Sequence, residues 1–377
     1  MSDTGCDVLV IGGGIAGASA AWRLAERGSV ILLEREDQPG YHTTGRSAAL
    51  YSKRYKNPLI RGLAIASGPF LENPPDGFAE HPLLTPRGLL MIARDDQRDE
   101  LARQFTPDQF ASGIVRELPL AEALQLAPHL DPDYVAATLY LPAAQDIDVH
   151  GLHGGFLRGL RARGGRIVTN AGVQAMARRD GAWHVETPAG TFTAPVVVNA
   201  AGAWVDEVAR LAGVAALGIR PLRRTAVTVD PPPGMDPSRW PMVMDAGEAF
   251  YFKPEAGRVL VSPCDETPME PHDAQPDELD VAVAVDQLER ASIVRVRRIA
   301  HRWAGLRNFV KDRMPVAGFA PDAEGFCFLA GLGGFGIMTS EALGRATAAI
   351  CAGESLPADL AANGITVEAL SPRRLAA

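Results

Sequence analysis

The stretch DVLVIGGGIAGASAAWRLAERGSVILLERE, from Asp7 to Glu36, decides the fold. Val8 to Ile11 is a short apolar run with strand character. Gly12-x-Gly14-x-x-Gly17 follows, and then a small-residue helical pattern from Ile15 to Arg27. A second apolar run, Val30 to Leu33, ends in the acid Glu34. Strand, glycine turn, helix, strand and acid come in the order of a dinucleotide-binding βαβ unit. Gly12 turns the chain, Gly14 lets backbone approach a pyrophosphate, and Gly17 lets helix and strand pack closely. The helix N-terminus, with its free N–H groups and positive dipole end, suits the phosphates. Glu34 stands about twenty residues past the fingerprint, where an acid takes ribose hydroxyls.

Outward from this unit, a 377-residue chain has room for two domains or one large composite fold. A net charge of −8 argues against a nucleic-acid partner, despite local arginine clusters at 220–224 and 295–298. Cys6, Cys264, Cys327 and Cys351 are scattered without a C-x-x-C pair, so neither a disulfide framework nor a zinc site is expected. No apolar run is long enough to span a bilayer, and a cytoplasmic protein is the expectation.

Thr43, Thr44, Gly45, Arg46 and Ser47 make a polar turn before a short helical pattern, with Thr44 or Ser47 as its cap. From Pro58 to about Pro142 the pattern changes to a mixture of helices and a strand at Leu89–Ala93. Asp148 to Arg163 reads as a helix, and His150 and His153 at its start lack a third ligand nearby, so no metal site is expected. APVVVNAAGAW repeats the motif of a buried strand followed by a small-residue turn at Asn199–Gly202. Strand patterns dominate from Arg220 to about Trp303. The strand at Phe326–Ala330, the loop GLGGFG and the helix Ile337–Ile350 then return to the first domain. The expected fold is α/β: a Rossmann-like cofactor domain (1–85, 143–218 and 308–377) interleaved with an α+β substrate domain (86–142 and 219–307) built on a mixed or antiparallel sheet.

Taken together, VLVIGGGIAGAS, LEREDQPGYHTTGRSAA, VVVNAAGAWVDE, PLRRTAV, AFYFKPEAG, WAGLRNFV and GGFGIMTSEALG resemble the D-amino-acid oxidase and dehydrogenase superfamily of FAD enzymes. That superfamily also holds glycine and sarcosine oxidases, and within it the chain is most similar to the D-arginine dehydrogenases. The resemblance implies noncovalent FAD and hydride transfer from the substrate Cα to the flavin, followed by hydrolysis of the imino acid to a 2-oxo acid and ammonia. Carried over position by position, it assigns the cofactor to Gly12, Gly14, Ile15, Ala16 and Gly17, and to Glu34 and Arg35. It continues through Thr43, Thr44, Gly45, Arg46, Ser47 and Ala48, then Val173, Ala200, Gly202 and Trp204. Arg307 and the run Gly333, Gly334, Phe335, Gly336, Ile337, Met338 and Thr339 complete the set.

Arg224 and Arg307 match substrate-carboxylate positions, with Arg223 the register alternative to Arg224, and Tyr55 and Tyr251 match tyrosines lining the substrate site. A planar guanidinium fork suits a carboxylate. Leu50, Leu89 and Met338 stand where the resemblance has a histidine, a glutamate and a glutamine. A cationic substrate side chain buried there would lack a counter-charge. The expected substrates are therefore neutral, apolar D-amino acids, with Met242 and Met244 as adaptable wall. The alternatives are an N-methyl or other secondary-amine oxidase of sarcosine or glycine type, and a flavin-binding protein without turnover. NAD fits the fingerprint alone. The electron acceptor, whether oxygen, a quinone or another carrier, is left open.

Overall fold

In the computed structural model, which describes residues 4–375, the opening unit forms β1 (Val8–Ile11), α1 (Ile15–Leu24) and β2 (Val30–Leu33). β1 lies at the interior of a six-stranded sheet, parallel to β2 on one side and to Val196–Asn199 on the other. Arg166–Val168 and Phe326–Ala330 extend the sheet in parallel, and Val316–Phe319 closes one edge antiparallel. These strands are apolar nearly throughout because both faces are covered. On one face α1 packs against the helices Val149–Ala162 and Gly336–Cys351. Trp22, Phe70, Phe78 and Phe156 lock α1 to the helices Pro58–Glu72 and Val149–Ala162, with ring centroids 4.9 to 5.9 Å apart. The other face is covered by a three-stranded antiparallel sheet between Ala175 and Ala194. Its first hairpin turns at Asp180 and Gly181, both left-handed, as an Asp-Gly turn favours.

A nine-stranded sheet forms the second layer. Its long pair, Arg220–Val229 and Ile299–Phe309, is antiparallel, and Met242–Asp245 runs parallel to Leu89–Ala93. The helix Glu278–Ala291 covers its outer face, while Arg224, Ala226, Met242, Met244 and Tyr251 point back toward the first sheet. The α/β architecture thus agrees with the reading of the sequence. The stretch after Leu356 is also packed, with Leu360, Ile365 and Leu370 buried.

One local expectation fails. Residues 41–46 are a run of turns leading through an irregular segment into the two-residue strand Leu50–Tyr51, with no helix between. Thr44 caps another helix: its hydroxyl accepts from the Ile15 N–H at the start of α1, at 2.9 Å. The turn supplies from a distance the cap that Gly14 cannot.

The sheet also buries a titratable group. His129 stacks on Trp240 at 3.8 Å, and neither ring nitrogen has a hydrogen-bond partner among the described residues. Burial pushes its pKa down to about 3. The unfolded ring binds a proton below about pH 6.5, while the folded ring does not. Stability is therefore unaffected above that pH and is lost as pH falls through it, by up to about 1.4 kcal/mol per pH unit from this group. We expect His129→Phe to flatten the acid side of the stability curve and to leave the neutral side little changed, measured as thermal midpoint against pH.

Candidate active site

Between the two sheets lies one cavity of about 1080 Å³, at the upper end of the range for small-molecule sites. Its near end is built on the glycine turn. Gly12 has a φ of +104°, and a Cβ there would lie 2.5 Å from the Ala200 carbonyl oxygen. Gly17 has no room at all, since a Cβ would lie 1.9 Å from the Gly12 oxygen. The Glu34 carboxylate accepts from the Gly13 N–H at 2.9 Å and, through its other oxygen, from the Glu36 N–H at 2.9 Å. It is thereby held in one orientation at the cavity edge. His153 braces the turn from behind, with Nε2 2.8 Å from the Gly13 oxygen. Burial holds the pKa of His153 below the ordinary value, against the hydrogen bond to Gly13, which raises it, and with a smaller lowering from His150. His153, at the helix start, is thus a neutral strut for the glycine turn. No group of residues suited to a metal occurs among the described residues.

The middle of the cavity is lined by the Thr43–Ala48 turn, by Ala200–Gly202 and by Gly331–Met338. Thr43 donates to the Leu306 oxygen at 2.7 Å. The Arg46 guanidinium is engaged away from any ligand, with the Ala274 and Ala304 carbonyl oxygens and Asp273. It clamps the turn onto the second sheet, while Arg46 still lines the cavity with the rest of the turn. The helix Gly336–Cys351 opens without a side-chain cap, so its first N–H groups and positive end face the cavity. Trp204 carries Arg35 over its ring at 4.6 Å and neighbours His42 at 4.7 Å, forming a wall at the near end.

At the far end strand alternation separates the two arginines of PLRRTAV. Arg223 points outward and pairs with Asp280 at 2.7 Å, whereas Arg224 faces the cavity. Arg224 donates through Nε to the Asp265 oxygen at 2.9 Å and reaches Glu266 only at 3.4 Å. Arg307, on the neighbouring strand, is half-buried, and none of the hydrogen bonds or ion pairs found among the described residues involves its guanidinium. It lies over Gly334, where a Cβ would come within 3.0 Å of it. Burial, and then the like charge of Arg224, hold its pKa below the ordinary arginine value, so it is a desolvated cation in want of an anion. Tyr55, edge-on to Phe335 at 5.0 Å, and Tyr251 are its neighbours.

Leu50, Met242, Met244 and Met338 line the cavity, as do the other expected cofactor residues Ile15, Ala16, Ser47, Ala48, Val173 and Ile337. Four expected positions lie outside its wall. Leu89 pairs with Met242 but sits one strand further from the cavity and is wholly buried in the core. Gly17 and Gly45 back onto the Gly12 and Gly40 carbonyl oxygens, and Thr339 is buried with its hydroxyl on the Phe335 oxygen. Charged residues missing from the reading of the sequence also line the far end: Arg54, Glu248, Glu266 and Arg313. Burial pulls the Glu266 pKa up, but hydrogen bonds from Arg313 at 2.8 and 3.1 Å outweigh it and hold the carboxyl ionised. No local motif flags these residues, because each arrives on a separate turn.

The glycine cradle, the fixed carboxylate of Glu34 and the uncapped helix describe a site for a long dinucleotide. A buried acceptor in the cavity wall, Asn308 Oδ1, lacks a partner among the described residues and suits a ligand donor. The fold and site define a dinucleotide-dependent oxidoreductase of two interleaved layers. Residues 7–350 match the DAO family, described as FAD dependent oxidoreductase, and the chain belongs to that family. Its cofactor is FAD.

Among curated relatives it is 26% identical to mitochondrial sarcosine dehydrogenase from Mus musculus over 90% of this chain, but it spans only 39% of that protein's length. It is 25% identical to glycine oxidase from Geobacillus kaustophilus, covering 96% of both chains. The crystal structure of that glycine oxidase superposes with a TM-score of 0.82, covering 96% of this chain and 98% of that one. L-alpha-glycerophosphate oxidase from Mycoplasma pneumoniae, solved with FAD bound, matches with a TM-score of 0.80 at 20% identity, over 92% of this chain and 95% of that one. No helix among the described residues is long and apolar enough to cross a membrane.

Proposed function

We propose that the protein oxidises a small amino acid at the carbon next to its nitrogen, in the manner of the glycine- and sarcosine-type enzymes it resembles, with noncovalently bound FAD. The observation that carries this reading is the uncompensated Arg307 guanidinium at the far end of a cavity whose near end has the dinucleotide cradle. FAD, when bound, supplies the two-electron acceptor for the hydride leaving that carbon.

The chain's own residues position the substrate. Arg307 takes the carboxylate as a planar fork, and Arg224 adds charge beside it. Tyr55 and Tyr251 border the same guanidinium and orient the amine end. Leu50, Met242 and Met244 exclude water from the remaining wall. The amine must shed its proton before hydride leaves. Glu266 remains bound to Arg313, so the proton passes to solvent. The segments 1–85, 143–218 and 308–377 would hold the cofactor, and 86–142 with 219–307 the substrate.

Neutral D-amino acids are a second reading, favoured by the apolar side chains of Leu50, Met242, Met244 and Met338 in the wall. Leu89 no longer supports it, since it lies outside the cavity. Anaerobic mixing of the holoenzyme with glycine, sarcosine, D-leucine and D-methionine separates the two. Bleaching of the flavin fastest by sarcosine or glycine is the expected result. Faster bleaching by the D-amino acids would replace the first reading with the second, and no bleaching by any would leave a flavin-binding protein without this activity. Admitting air afterwards shows whether oxygen is an acceptor.

A further inference from the structure

The guanidiniums at the far end of the cavity are unequally compensated. Arg313 holds Glu266 at 2.8 and 3.1 Å. Arg224 shares that carboxylate at 3.4 Å, and Arg307 is the unpaired cation already described. Arg54 is the fourth, on the segment after the Leu50–Tyr51 strand, with its side chain 13% exposed. Both of its terminal nitrogens fall on one oxygen of Glu248, at 3.2 Å each, and the Glu248 side chain is 54% exposed. A bidentate pair would place one N–H on each carboxylate oxygen. Here a largely desolvated guanidinium is answered by half of a mostly solvated carboxylate, an arrangement that a better-fitting anion can displace. Arg54 also lies over the Tyr55 ring at 4.9 Å, and Tyr55 is a neighbour of Arg307. Burial pulls the Arg54 pKa down, but Tyr55 and Glu248 outweigh it and hold it above the ordinary arginine value. Its charge is thus kept by partners while that of Arg307 is not, and the two cations flank one aromatic side chain. In a chain of net charge −8, this end of the cavity sets four guanidiniums against two carboxylates.

We propose that Arg54 is a second anion site and that the substrate is an amine carrying two carboxylates. One carboxylate binds Arg307, and the other takes Arg54 from Glu248. The inference rests on the reading of the far end as the substrate site. Two substrate forms share this chemistry, an N-carboxymethyl amine and a dicarboxylic α-amino acid, and iminodiacetate and D-aspartate represent them.

The test is anaerobic flavin reduction in the holoenzyme, comparing iminodiacetate with sarcosine and D-aspartate with D-alanine. One dicarboxylate should reach half-saturation at a concentration about tenfold or more below that of its monocarboxylate counterpart. Arg54→Gln should raise the half-saturating concentration of that dicarboxylate about 30-fold, as loss of a charged hydrogen-bond partner does, and that of the monocarboxylate less than about threefold. Arg54→Lys should recover part of the loss. Glu248→Gln should act in the opposite direction and tighten the dicarboxylate, because it removes the competing anion. A merely structural pair would shift both variants the same way. Equal handling of mono- and dicarboxylates by the unaltered enzyme, or an Arg54→Gln effect equal on both, overturns the proposal while leaving the amine-oxidase reading intact. Failure of every amine to bleach the flavin overturns that reading itself.

Discussion

Arg307→Met should lower kcat/KM for the amine substrate about 1000-fold while the protein still binds its flavin. The guanidinium faces the far end of the cavity, over Gly334, and makes none of the bonds that shape the glycine turn. Its loss leaves a carboxylate with no fork and the reacting carbon without a fixed position. A charged hydrogen-bond partner and the orientation it enforces together account for about 4 kcal/mol, the free-energy equivalent of that factor. The same substitution should raise the thermal midpoint of the ligand-free protein. An uncompensated, desolvated cation beside Arg224 destabilises the fold, and methionine fills similar volume without a charge. Arg307→Lys should recover charge but not the fork, and remain well below the unaltered enzyme. The measurements are steady-state kinetics, flavin content and melting curves on the same preparations. An activity loss below about tenfold would show that the carboxylate is held elsewhere.

Gly17→Ala should yield protein that retains little or no FAD. A methyl group there meets the Gly12 carbonyl oxygen at 1.9 Å; that oxygen is backbone and a Cβ has no rotamer, so no side-chain rotation relieves the clash. Either α1 moves off β1 or the turn opens, and each displaces the N–H groups that face the pyrophosphate. We expect the affinity for FAD to fall by more than about 100-fold, or about 3 kcal/mol, read by titration of the apoprotein. Gly154→Ala is the comparison. It lies within the helix Val149–Ala162, and its nearest neighbour is the flexible end of Arg158 at 3.0 Å. That change should be neutral or stabilising by up to about 1 kcal/mol, since alanine favours a helix. Normal flavin binding by Gly17→Ala would mean that α1 tolerates a displaced register.

Several elements were legible from local order alone. β1, the glycine turn, α1 and β2 follow from two apolar runs at strand length separated by a small-residue helical pattern. Asp148 caps the helix expected from it to Arg163. Each of these rests on residues within a few positions of one another, where spacing and backbone preference act directly. Leu89 shows the limit of that logic: its strand was evident, but not that the cavity wall would include Met242 on the adjacent strand and leave Leu89 out.

From the sequence by itself came the dinucleotide cradle, the α/β class and the family resemblance, because short-range periodicity and the steric needs of glycine specify them. Tertiary structure alone decided which of Arg223 and Arg224 faces the cavity, since that depends on strand register against Ile299–Phe309. It also made His153 a strut for Gly13, 140 residues away, and set Arg54 against Glu248 across 194 residues. Such pairs form where packed sheets and turns happen to converge, and a charge becomes a site only when burial strips its water and leaves it without a partner.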